Sequence, residues 1–373
     1  MRSGEIARGV PLVKSSGFSP VAPVGGTVSG IVSTTDTTGA RGAGVAIEAD
    51  PDQPETEAGE GCGKALGDVL DRLGCAGVWA DRKTSPDLVA QLQAATKRRV
   101  ETVVCNLLEA DGAPLNAGLL LTGAADVIAG AVALAQALEA RLQIVGDADV
   151  LSLLGPDVRR VKQQVNIRLV ELTNDYPQAD PTILVYMLTG RRLRPDHLPT
   201  EQGIVMIDGC AALAIGRAVA RREPMTSVPL AVRERGRGRV HLVTAVIGTP
   251  IQFVLEQLGI PIQDVTVRVG PVLRDIRVDL DTVVSSGELR LDVGPAAVPK
   301  NPDPCIRCGW CVAACPTRIH PAGLLEAAQQ HDLAMAEGFG LHACIECGIC
   351  SYVCPSRLPL LGAIRTLTGR EQI

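Results

Sequence analysis

Apolar residues open the chain in short β-branched runs broken by glycine. Between Gly9 and Ala49 the phrase A-P-V-G-G-T-V-S-G-I-V, Ala22 to Val32, mixes Val, Ile and Thr with Gly pairs, which predicts a small antiparallel β module. Asp50 to Gly63 then reads D-P-D-Q-P-E-T-E-A-G-E-G-C-G, acidic and rich in Pro and Gly, hence an exposed linker. From Lys64 the apolar period becomes helical over Ala65 to Leu73 and Pro86 to Thr96. A short buried strand follows at Glu101 to Cys105, then an Ala-rich helix over Ala124 to Leu138 and a strand at Leu142 to Val145. The alternation continues with a strand at Ile167 to Leu172, a helix at Thr182 to Thr189, a strand at Gly203 to Asp208 and a helix at Cys210 to Arg221. Strands alternating with helices predict an α/β, Rossmann-like domain with a mostly parallel sheet that binds ligands at the carboxyl ends of its strands.

After Pro229 the texture turns to β, with runs at Leu230 to Arg235, Arg239 to Ala245 and Asp264 to Val269 around one helix begun after Thr249 and Pro250. A strand pair, a helix and a returning strand predict a β-grasp unit. The basic run R-E-R-G-R-G-R, Arg233 to Arg239, reads as a charged hairpin tip, with a docking surface as the alternative. The pattern divides the chain into a β module over 1–49, a linker over 50–63, an α/β domain over 64–227, a β-grasp unit over 228–298 and a cysteine-rich domain over 299–373.

The cysteines change the picture most. Eight of twelve lie in C-I-R-C-G-W-C-V-A-A-C-P, Cys305 to Pro316, and C-I-E-C-G-I-C-S-Y-V-C-P, Cys344 to Pro355. This is the spacing C-x2-C-x2-C-x3-C-P twice, in which three thiolates wrap one corner of a cubane and the fourth cysteine ligates the other cluster. One [4Fe–4S] cluster is therefore expected on Cys305, Cys308, Cys311 and Cys354, and the other on Cys344, Cys347, Cys350 and Cys315. A structural zinc site would leave the third cysteine of each triplet idle. Disulfides would need an oxidising compartment, which no signal peptide supports. Arg307 and Glu346 hold corresponding places and give the two sites opposite local charge, so the cluster on Cys305, Cys308 and Cys311 is expected at the higher potential.

Composition bounds the partners. With 46% hydrophobic and 21% charged residues the chain is an ordinary globular protein, and a net charge of −5 argues against nucleic acid. No apolar run is read as reaching the ~20 residues of a bilayer span, and the start MRSGEIARGV has no apolar core of a signal peptide. A cytoplasmic location is expected, with peripheral attachment to a membrane only through a partner. In the α/β domain the loops to inspect are Leu73 to Pro86, where Gly74 and Gly77 stand among Trp79, Asp81, Arg82 and Lys83, and Asn106 to Asn116, where Asn106, Glu109, Asp111 and Asn116 could meet a flavin ring or ribose. Cys62, Cys75, Cys105 and Cys210 show no ligand spacing; Cys105 and Cys210 are expected to pack at strand ends.

The order of parts resembles the RnfC family, peripheral subunits of ion-translocating ferredoxin:NAD oxidoreductases, and its relatives the propanediol-utilisation cobalamin reductase and the flavin/NADH-binding subunit of complex I. A-P-V-G-G-T-V-S-G-I-V is similar to the family's N-terminal sandwich, D-Y-P-Q-A-D-P-T-I-L-V-Y-M-L-T-G-R to its Y-P-Q-G…L-T-G-R segment, and V-I-G-T-P-I-Q-F-V-L-E-Q-L-G to its soluble-ligand-binding β-grasp (SLBB). C-I-E-C-G-I-C-S-Y-V-C-P-S-R-L-P-L is similar to its cluster signature. The resemblance implies a complex-I-type flavin/NADH domain, an SLBB unit, a helical two-cluster ferredoxin domain with one helix over Pro321 to Gly338 between its motifs, and partner redox subunits in a hetero-oligomeric complex. The family's G-x-G-G-A-G-F-P-T loop corresponds here to G-C-A-G-V-W-A-D-R-K-T-S-P, keeping Gly74, Ala76, Gly77 and Pro86, and N-x-x-E-C-E-P to N-L-L-E-A-D-G-A-P, keeping Asn106 and Glu109. Bulk and charge in place of glycine block backbone donation to phosphate, so an electron relay without NADH is expected. The alternative is an FMN-dependent NADH dehydrogenase or cobalamin-reductase-like enzyme, with FMN on Gly74, Gly77, Asn106 and Glu109.

Overall fold

The computed structural model describes residues 5–13, 18–50, 52, 63, 65–109, 113–296 and 301–369. Most of the expected linker, with Cys62, and Asp111 lie outside the described residues. Strands β1 (Glu5–Ile6), β2 (Gly26–Thr35) and β3 (Arg41–Ala49) form the antiparallel module in the order β1-β2-β3. Its buried apolar side chains are those of Val21, Ala22 and Val28.

The α/β domain runs α1 (Leu66–Cys75), α2 (Leu88–Ala95), β4 (Thr102–Asn106), α3 (Leu115–Ala137), β5 (Arg141–Gly146), α4 (Ala148–Leu153), α5 (Gly155–Val161), β6 (Ile167–Glu171), α6 (Pro181–Thr189), β7 (Ile204–Asp208) and α7 (Gly209–Gly216). The four strands are all parallel in the order β6-β5-β4-β7, so the direction of winding reverses between β4 and β7. Alternate side chains separate the two faces. Val103, Cys105, Val205 and Ile207 enter the main core; Val104, Ile204 and Met206 enter a second core beneath α6 with Leu184 and Val185. Cys105 is the penultimate residue of β4, near the strand end as expected, whereas Cys210 lies in the first turn of α7. Burial pushes both thiols up, Cys210 to about 12.

Helix α3 corrects two expectations. It begins nine residues before Ala124, which puts Asn116 in its first turn, and by length and composition it is a described helix able to cross a membrane. Asn116, Thr122, Asp126 and Gln136 are too few to interrupt the apolar run. In the fold α3 lies along α7, so close that a Cβ on Gly130 would collide with the carbonyl of Ala212, and one on Gly216 with that of Asp126. Asp126, nearly buried, pairs with Arg221 at 2.8 Å.

Strands β8 (Ser227–Glu234) and β9 (Arg239–Val246), helix α8 (Ile251–Gln257), and strands β10 (Val265–Val269), β11 (Ile276–Val278) and β12 (Arg290–Pro295) build a five-stranded sheet in the order β11-β10-β12-β8-β9. β12 lies parallel to β8 at the centre, the β-grasp arrangement. Its core is continuous with that of the α/β domain. The hairpin-tip arginines are engaged internally: Arg233 and Arg235 with Asp292, Arg237 with Glu234.

The C-terminal domain holds α9 (Trp310–Ala313), α10 (Pro321–Gln330), α11 (Leu333–Gly338), α12 (Ile349–Tyr352) and α13 (Leu360–Leu367) around a small core of Ile319, Leu324, Ala336 and Ile364. The expected single helix between the motifs is two. His331 takes a left-handed conformation (φ 52°) and Asp332 caps the amide of Met335 at 2.9 Å, restarting the helix in a new direction.

Candidate cluster sites and nucleotide crevice

Each cysteine motif is a loop entering a one-turn helix, and the loops repeat the same backbone. Arg307 and Glu346 have φ of 56° and 53°, Gly309 and Gly348 of 77° and 78°, and Arg318 and Arg357 of 60° and 55°. Left-handed residues at matched places curl each loop around its cysteines. Cys305, Cys308, Cys311 and Cys354 line one cavity of about 620 Å³, with His320 and Phe339 in its wall. Cys315 sits instead with Cys344, Cys347 and Cys350, close enough for their charges to interact. The structure thus brings together the two crossed sets of four. Among the described residues no three His, Cys, Asp or Glu side chains converge on a single ion. Sulfurs spread along a wall suit a bulky cluster and not a zinc ion, so the donor set fits [4Fe–4S].

The sites differ in depth. Cys305 and Cys308 are exposed, beside Ile306 and Trp310 at 66% and 59% exposure, whereas Cys315 and Cys350 are buried. Burial, then neighbouring carboxylate and thiols, pushes Cys344 up to about 12, and burial with the neighbouring thiols does the same to Cys350; iron loading must displace those protons. The charge contrast expected from Arg307 and Glu346 is reduced. Glu346 is buried against Arg365 at 3.4 Å, while Arg307 stands in water, so a simple opposition of two local charges does not describe the pair.

The inner site is where the domains meet. The Tyr176 hydroxyl, after β6, donates to the Cys347 carbonyl at 2.5 Å. A Cβ on Gly348 would strike the carbonyl of Leu273 in the β-grasp unit. Lys83, Asp180 and Arg274 line the narrow gap beside Cys347. Asp180 caps α6 through the amide of Thr182 at 2.9 Å; burial raises its carboxyl against the opposing pull of Lys83 and Arg274.

A parallel sheet binds its ligand outside the strand ends where the winding reverses, here between Asn106 and Asp208, which pair across β4 and β7. That crevice is filled by the chain itself. Arg82 is 6% exposed and clamps Asp208 with Nε at 2.8 Å and Nη2 at 2.6 Å, its third nitrogen donating to the carbonyl of Ser286. Thr84 donates to the same carboxylate at 2.8 Å. Burial opposes ionisation of Asp208, but Arg82 outweighs it and holds the carboxyl below its ordinary range. Next to this, the amino end of α3 is capped from within: Glu109 accepts the amides of Asn116 and Ala117 at 2.6 and 3.2 Å and pairs with Arg290 at 3.3 Å. Burial pushes Glu109 up to about 7 despite Arg290 and those amides.

The other residues of the two loops have structural partners. Asn106 donates to the carbonyl of Ala179 at 2.9 Å. Gly74 is in the last turn of α1, and Gly77 (φ 65°) packs against Val21. Asp208 and Arg290 were not picked out from the sequence. Asp208 could have been, as the acid ending the strand G-I-V-M-I-D; Arg290 arrives from another unit and carries no local signal.

Residues 87–216 match the family model described as Nuo51 FMN-binding domain, and residues 297–355 the 4Fe-4S dicluster domain. Over 247 residues the chain is 30% identical to RnfC, a component of the ion-translocating oxidoreductase complex of Cronobacter sakazakii, covering 64% of this chain and 32% of that protein. The chain is similar to RnfC over that stretch. It spans about a third of the length of this curated relative. Structures of an NAD+-reducing [NiFe]-hydrogenase in its H2-reduced and air-oxidised states superpose with TM-scores of 0.56 and 0.51 at 14% identity, over 82% of this chain and 60% and 54% of theirs; this likeness is one of fold. The RnfC-like chain therefore joins a complex-I-type α/β domain to a domain for iron–sulfur clusters. The flavin-domain match begins at residue 87, just past Arg82.

Proposed function

We propose that this RnfC-like chain is an electron-relay subunit whose α/β domain accepts no NADH. The carrying observation is the Arg82–Asp208 clamp: a bidentate, buried ion pair occupies the crevice at the winding reversal, where a dinucleotide would lie. Glu109 takes the helix amides that a phosphate would need. Two [4Fe–4S] clusters supply one-electron transfer. Cys305, Cys308, Cys311 and Cys354 hold the outer one, and Cys344, Cys347, Cys350 and Cys315 the inner one. Tyr176 and Gly348 fix the inner loop against the α/β and β-grasp units. The β-grasp unit is read as SLBB, the division at 49, 63, 227 and 298 stands with it, and the subunit works inside a hetero-oligomeric redox complex at the cytoplasmic face.

A second reading is favoured by the match to the FMN-binding domain: flavin is held without the glycine-rich loop, on Gly74, Gly77, Asn106 and Glu109, and the chain is an NADH dehydrogenase or cobalamin-reductase-like enzyme. Flavin, iron and sulfide content of anaerobically purified protein, with its response to NADH and dithionite, separates them. The relay reading expects full iron, no flavin, no bleaching by NADH and bleaching by dithionite. About one flavin per chain with NADH bleaching would overturn it.

A further inference from the structure

A groove of about 690 Å³ runs along the seam between α6 and the C-terminal domain. Its floor is apolar, from Ile183, Leu193 and Pro316, and its rim carries Arg192, Arg194 and Arg318. No carboxylate lines it. Arg194 is satisfied by Asp196 at 2.9 Å, but among the described residues neither Arg192 nor Arg318 makes an ion pair. Both are exposed. At the lip, Tyr186 is 56% exposed. This uncompensated positive charge belongs to a protein whose net charge is −5, and it contrasts with the hairpin run Arg233 to Arg239, whose arginines are largely spent on internal pairs.

The groove's position gives it meaning. Pro316, Thr317 and Arg318 follow Cys315 directly, and His342 and Ala343 precede Cys344. One wall is thus the backbone that flanks two ligands of the inner site. An apolar floor with an aromatic lip and a cationic rim suits a partner with an apolar centre and surface carboxylates. A partner that must come near the inner cysteines is a redox protein. We propose that this groove is the docking site of a small acidic one-electron carrier protein, seated against Tyr186 and held by Arg192 and Arg318. The proposal rests on the relay reading and assigns the entry to it: the carrier approaches the inner site, leaving the exposed Cys305–Cys308 loop for the next protein.

The test is binding of a [2Fe–2S] ferredoxin with a carboxylate-rich surface to the anaerobically purified, iron-replete protein, by titration calorimetry from low to high salt. Wild-type protein should bind with an affinity that falls as salt rises. Arg192→Glu/Arg318→Glu should weaken binding at least tenfold at low salt, about 1.4 kcal/mol, and flatten the salt dependence; Arg192→Gln/Arg318→Gln should give a smaller loss. Arg239→Glu, an exposed arginine of the hairpin run, should bind as wild type. Affinity unchanged in both double variants, or lost in Arg239→Glu alone, overturns the proposal, as does a poly-glutamate peptide binding as tightly as the folded carrier. Dithionite bleaching on the same samples reads the relay separately: bleaching without groove-dependent binding sinks the docking site and leaves the relay standing.

Discussion

Arg82→Met removes one half of a fully buried ion pair and leaves Asp208 with the amide of Ala211 and the hydroxyl of Thr84, both at 2.8 Å. Breaking such a pair by deleting one partner costs about 3–5 kcal/mol, because the remaining charge is stranded out of water. The two surviving donors put the expected loss near the lower end, about 3 kcal/mol, or roughly 6–12 °C in melting temperature at 2–4 °C per kcal/mol for a unit of this size. Removing both charges is a different perturbation. Arg82→Met/Asp208→Asn keeps an oxygen to cap Ala211 and should cost only about 1 kcal/mol. Urea unfolding followed by far-ultraviolet circular dichroism measures all three proteins. The pH dependence gives a second signature. Asp208 is held below its ordinary range, so the pair's contribution is present above the unfolded value of about 3.9 and is lost as pH falls through the lower folded value. Arg82→Met should flatten that acid limb. A single variant losing under about 1 kcal/mol, or a double variant as unstable as the single, would refute the clamp.

Three further outcomes follow from the geometry. Cys315→Ser should lose about half the iron and give the same residual electron paramagnetic resonance spectrum as Cys350→Ser, while Cys354→Ser should match Cys305→Ser; a match of Cys315→Ser to Cys305→Ser would undo the crossed assignment. Gly309→Ala pays only the left-handed backbone penalty of about 1–2 kcal/mol, since nothing lies within 4 Å of its added Cβ, whereas Gly348→Ala also collides with Leu273 and should release the C-terminal domain, read as new protease cleavage between β12 and Cys305; equal cleavage in both variants would contradict this docking. Glu109, pushed up to about 7, is protonated more readily folded than unfolded, so its contribution is full below about 4.5 and lost as pH rises to about 7, roughly 3 kcal/mol in all; Glu109→Gln should abolish that slope, and an unchanged slope would place the titration elsewhere.

The parallel sheet was legible because β4 through β7 are bracketed by helices, and at β4 and β7, buried on both faces, period and position agree along V-V-C and I-V-M-I-D. The cysteine domain was legible because its ligands carry their own spacing. Three features were not. The helix α3 start was hidden because L-N-A-G-L-L-L-T-G mixes helix breakers with apolar residues, and its amino end is stabilised by Glu109, a carboxylate reaching back to the helix amides from the preceding loop rather than a local Ser or Asp. The break at His331 depends on one left-handed residue inside an otherwise helical pattern. The clamp joins residues 126 positions apart, and its closing contact, Ser286, comes from a third unit; charge in the loop after α1 was readable, its destination was not.

The two cysteine loops share one backbone, yet each sends its last cysteine across to its twin. Under the crossed assignment neither loop owns a complete set of ligands, so the repeat behaves as a clasp rather than as two beads. Half of it cannot be excised, transplanted or allowed to drift alone, because every substitution at a fourth position is felt by the opposite cluster. Duplication, which ordinarily frees one copy to vary, here binds the copies to a common fate.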